Sequence, residues 1–72
     1  TMKTKVYAIG NKIHVADLDA KNTEVNVYTA TGSLVKKVNV SADSNFEINT
    51  KGVYIVNVKS EAGAKSVKVL VN

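Results

Sequence analysis

The stretch Lys51-Gly-Val-Tyr-Ile-Val-Asn-Val-Lys59 constrains this chain more than any other. Tyr54, Val56 and Val58 fall on one side of it, and Val53, Ile55 and Asn57 on the other. A repeat of two is the geometry of a β-strand. Both sides are largely apolar near the start, as in a strand covered on both faces at the middle of a sheet. Gly52, just ahead, marks a backbone turn that a side chain would obstruct. The centre of the core is expected here.

The remaining chain repeats this pattern in shorter pieces. Lys5 to Ile9 is a short apolar run, followed by Gly10-Asn11, a Gly-first two-residue link typical of a type II′ hairpin. Lys12 to Ala16 alternates, with Ile13 and Val15 inward and Lys12 and His14 outward. Asp17 to Asn22 reads as a loop. Thr23 to Ala30 puts Val25 and Val27 on one face, and Glu24, Asn26 and Tyr28 on the other. A turn follows at Ala30-Thr31-Gly32-Ser33, where Gly32 is free to take positive φ.

Leu34 to Val40 resumes strand character with an uneven phase. Leu34, Val38 and Val40 share a parity with Lys36, whereas Val35 breaks it, so a β-bulge is expected near Val35 to Lys37. Ser41 to Asn45 reads as a turn, and Phe46 and Ile48 belong to a short strand. Ser60 to Gly63 is a hairpin link. In Lys65 to Val71, Val67, Val69 and Val71 alternate with Ser66, Lys68 and Leu70. Strands and turns therefore recur about every ten residues, the spacing of an all-β sandwich or barrel of about seven short strands.

A single domain of 72 residues is small. Chains of this size bury only about 60% of the surface exposed on unfolding, so their stability is marginal. The absence of cysteine excludes disulfides and zinc–thiolate sites. Stability must come from strand pairing, an apolar core or a partner subunit. No apolar run is long enough for a membrane-spanning helix.

The net charge of +4 comes from ten lysines without arginine, scattered along the chain. Arginine is the usual bidentate reader of phosphates and base edges, so nucleic acid is not expected as a partner. His14 is the sole histidine, and no serine lies in a nucleophile-elbow context. Asp17 and Asp19 form an Asp-x-Asp pair, but Lys21 and Asn22 follow where a calcium loop needs a further oxygen ligand and a glycine. Neither a catalytic residue nor a metal or other cofactor is expected. Tyr54 is expected in the core, with its hydroxyl reaching a backbone group at a strand corner. Tyr28 is the one aromatic positioned to mark a partner surface.

Several motifs, taken together, resemble one family. They are Val25-Asn-Val-Tyr28, Gly32, Leu34-Val35, the strand from Lys51 to Val58, Gly63, and the closing Lys65-Ser-Val-Lys-Val-Leu-Val-Asn72. In order and spacing, residues 23–72 are similar to the C-terminal sorting domains of type IX (Por) secretion substrates in Bacteroidetes. The resemblance implies a non-catalytic Ig-like antiparallel β-sandwich, a fragment of a larger secreted protein with an N-terminal cargo domain. It further implies transit through the periplasm to the cell surface or the medium. The implied partners are an outer-membrane shuttle protein and a sortase-like peptidase.

Gly32, Gly52, Tyr54, Val56 and Val58 correspond to the family's fold-defining motif. Lys65, Lys68, Val69, Leu70, Val71 and Asn72 fall in its terminal recognition strand, with both lysines expected to point outward. Thr29 stands where many members carry aspartate, Ser33 where a basic residue is common, and Asn72 where lysine or arginine is frequent. Gly10 to Ile13 occupies the region of the usual proline-containing opening motif. Open sheet edges also suggest homodimers by strand addition or exchange. An Ig-like accessory or glycan-binding module of a surface protein is the alternative reading.

Overall fold

Seven strands follow one another along the chain in a computed structural model that describes residues 2–72. They are β1 (Lys5–Ile9), β2 (Lys12–Ala16), β3 (Thr23–Thr29), β4 (Leu34–Val40), β5 (Ser44–Glu47), β6 (Gly52–Ser60) and β7 (Gly63–Val71). All pairings are antiparallel, and no helix occurs among the described residues. One sheet has the order β1-β2-β5 and the other β4-β3-β6-β7. The chain crosses between them after β2, β4 and β5, so neighbours in space are often distant in sequence. This is the Ig-like sandwich expected from the sequence.

The core lies between the sheets. Ile13 and Val15 of β2 and Ile48 beyond β5 meet Val25, Val27, Tyr54, Val56, Val58, Val69 and Val71 from the larger sheet. Each is an inward member of a two-residue repeat, and six valines lie within 1% of complete burial. Burying one such side chain contributes about 1.5–3 kcal/mol. Valine suits the position twice over: its branched Cβ favours the extended backbone, and its compact shape fills sheets about 10 Å apart.

The turns follow local chemistry. Ile9 pairs with Lys12, so Gly10-Asn11 forms a two-residue hairpin, with Gly10 at φ +59°. Positive φ at the first position alone is the type II′ arrangement that matches strand twist. Gly52 also has positive φ, +150°, but a Cβ there would meet no atom within 4 Å. The expectation of an obstructed side chain is thus corrected: glycine is favoured at this position by backbone angle, not by space.

Two further expectations change. The second face of β6 is not covered: Val53 is 41% exposed, and Ile55 and Asn57 are half-buried. An antiparallel sheet needs only one packed face, and no third layer covers the other. The bulge falls where the sequence placed it. Val27 pairs with Lys36 and Tyr28 with Leu34, leaving Val35 unpaired. The extra residue carries Leu34 across to the solvent face beside Tyr28, away from the parity of Val38 and Val40. Lys36 stays on the inner parity, with its ammonium 5.6 Å from the centroid of the Phe46 ring.

Candidate functional site

The candidate site is β7 and its surroundings. Its nine residues pair in unbroken register with β6, from Ser60–Gly63 to Gly52–Val71. Ordering places β7 at one end of the four-stranded sheet, with a strand on one side only. Val69 and Val71 are buried and Val67 half-buried, whereas Ser66, Lys68 and Leu70 face solvent. Such a strand is anchored by one set of side chains and leaves the other set facing solvent.

Both ends of β7 are tied to other parts of the molecule. The Asn72 amide donates to the Gly10 carbonyl at 2.9 Å. Lys65 does not point outward as expected. It shares the parity of Val67 and Val69, is half-buried, and donates from Nζ to the Thr4 carbonyl at 2.7 Å. The parity of Lys65 is visible in the sequence, but its partner 61 residues away is not. Lys68 is exposed, next to Ile55 in the adjoining strand.

Tyr54, Val56 and Val58 of β6 are buried on the inner face of the same sheet, paired across from Val69, Val67 and Lys65 of β7. The Tyr54 hydroxyl donates to the Thr50 carbonyl in the β5–β6 connection. This fixes the corner through which the chain enters β6, in the manner of Ig-type tyrosine corners. Gly32 sits in the β3–β4 turn, where its amide donates to the Thr29 carbonyl. Tyr28 is half-buried between Leu34 and Ile55, and with Val53 and Leu70 these residues make an apolar end to the solvent face of the larger sheet.

The carboxylates singled out in sequence serve different partners. Asp17 has φ +55°; its amide donates to Asp43 Oδ1 at 3.0 Å, and its carboxylate lies 3.4 Å from Lys5 Nζ. Asp19 instead accepts from Thr4 Oγ1 at 2.7 Å and from the backbone amides of Lys3 and Thr4 at 3.0 Å. The Thr4 hydroxyl and then the Lys3 amide hold its carboxyl below the usual carboxylate range. Nothing in the sequence marked Thr4, since an isolated threonine before a strand carries no signal. Among the described residues, no group of three or more His, Cys, Asp or Glu could hold a metal. His14 stacks on its cross-strand neighbour Tyr7, with ring centroids 5.0 Å apart and planes within 4°.

A two-sheet domain with an exposed, regular last strand and a fastened tyrosine corner is matched over residues 8–72 by the family model of the secretion system C-terminal sorting domain. The chain belongs to that family. No curated protein and no solved structure matches it. As a sorting domain it belongs to the type IX route, which leads across the outer membrane to the cell surface or the medium. The family is one of signals, not of catalysts.

Proposed function

We propose that this domain is a folded address, directing a cargo attached on its N-terminal side through the type IX machinery, and that the address is read at β7. The supporting observation is the position of β7: a long, regular strand paired on one side only. An extended segment of a receptor added to that edge would gain backbone hydrogen bonds, with side chains on alternate positions supplying selectivity. Lys68, Val69, Leu70, Val71 and Asn72 form the readable stretch, with Lys65 at its start. Lys68 and Leu70 present a charge and an apolar group on the open face, while Val69 and Val71 hold the strand in place. Gly32, Gly52, Tyr54, Val56 and Val58 keep the platform behind it rigid. The shuttle protein is the proposed reader, and the sortase-like peptidase then separates domain from cargo.

A cargo fusion lacking residues 65–72 is expected to accumulate in the periplasm. Because this deletion also removes core valines, a folded Lys68→Glu/Leu70→Glu fusion provides the companion measurement, with a comparable block expected. Normal export of both fusions would overturn recognition at β7.

A further inference from the structure

The segment preceding β1 is held far more firmly than its lack of strand pairing suggests. Thr4 is completely buried, and every polar group it carries is satisfied by residues distant in sequence. Its amide and hydroxyl donate to Asp19 Oδ2, at 3.0 and 2.7 Å. Its hydroxyl oxygen accepts from the Asp19 amide at 3.2 Å, and its carbonyl accepts from Lys65 Nζ at 2.7 Å. The Lys3 amide is shared between both Asp19 oxygens, at 3.1 and 3.0 Å. Met2 lies against Gly63, where an added Cβ would come within 3.6 Å of its Cγ. Three tethers thus converge on residues 2–4, one from Asp19 in the β2–β3 loop and two from Gly63 and Lys65 at the start of β7.

We propose that Met2-Lys3-Thr4 is a latch that closes the peptide bonds ahead of β1 to peptidases and that Lys65 couples its closure to the state of β7. A peptidase must draw its substrate out as an extended segment with free backbone groups. The Lys3–Thr4 bond has its amide committed to Asp19, so cutting there requires the latch to open first. A partner that displaces Lys65 while adding to the edge of β7 removes one tether and opens residues 2–4 to a peptidase. This consequence for processing rests on the sorting reading; the latch itself does not.

Limited trypsin digestion of the chain, followed by mass spectrometry, tests the latch. The exposed Lys21 serves as an internal reference. Cleavage after Lys3 is expected to be slow in the parent and about tenfold faster, relative to Lys21, in Asp19→Ala, because local opening sets the rate. Hydrogen exchange at the Thr4 amide should accelerate in parallel. Lys65→Met retains the stem but loses the donor, and is expected to speed both readouts severalfold without altering the melting transition. Should Asp19→Ala fail to fold, Lys65→Met and Thr4→Val carry the test. Unchanged cleavage after Lys3 in folded variants would overturn the latch. Acceleration in Asp19→Ala but none in Lys65→Met would overturn the coupling to β7. Neither result bears on export of the Lys68→Glu/Leu70→Glu fusion, so the two proposals fail separately.

Discussion

The larger sheet ends in two edges, β4 and β7, and they are built in opposite ways. The β4 edge is interrupted by the bulge at Val35, which breaks the register with β3 and turns Leu34 to solvent. A broken, strongly twisted edge is a poor template for a further strand. The β7 edge runs through nine residues without a shift, is tethered at both ends, and carries one exposed lysine near its middle. A lysine discourages antiparallel self-pairing centred on it, because like charges would then lie opposite each other. The contrast is between one edge broken by geometry and another left regular, with a single exposed lysine near its middle.

Substitutions at the two edges should separate them most clearly. Val69→Asp places an unpaired carboxylate against the core and is expected to cost about 3–5 kcal/mol in urea unfolding. The same change at the 47%-exposed Val35 should stay within about 0.5 kcal/mol. Comparable losses at the two positions would show that β4 is as much a part of the core as β7. A smaller effect is expected for Tyr54→Phe, which leaves the ring packed behind β7 but removes the bond to Thr50. The loss should be about 1 kcal/mol, with little change in the slope of the unfolding curve.

The mildest perturbation is pH. The Asp19 carboxyl lies below its ordinary range in the folded state, so its contribution is fully present above that range and disappears as pH falls through the lowered folded value. The nearby Lys5–Asp17 pair is exposed and screened by solvent. The melting temperature of the parent should therefore fall more steeply on acidification than that of Asp19→Asn. Parallel curves for the two proteins would remove Asp19 from the stability of the β7 side.

Much of this architecture was legible residue by residue. Val25 and Val27, Tyr54 to Val58, and Val67 to Val71 announced their inward faces by alternation, and Gly10-Asn11 announced its hairpin. Even the bulge was visible, because Val35 broke a phase that the flanking residues kept. The errors share one cause. Ile55 and Val53 look like core from composition, and Leu34 looks inward from parity, but solvent exposure depends on whether another layer lies above and on how register shifts accumulate across strands. The latch was invisible for the same reason: Asp19 appeared to be half of an Asp-x-Asp loop until folding brought Thr4 to it.

The chain on its own determines strand identity, turn positions and the inward set of side chains, since each depends on residues within a few positions and on the two-residue period of the backbone. The crossings between sheets decide which strand is left at an edge, which face has water over it, and which lysine meets a carbonyl 61 residues away. Those outcomes come from the joint packing of all seven strands around one small core, a condition that no single segment carries.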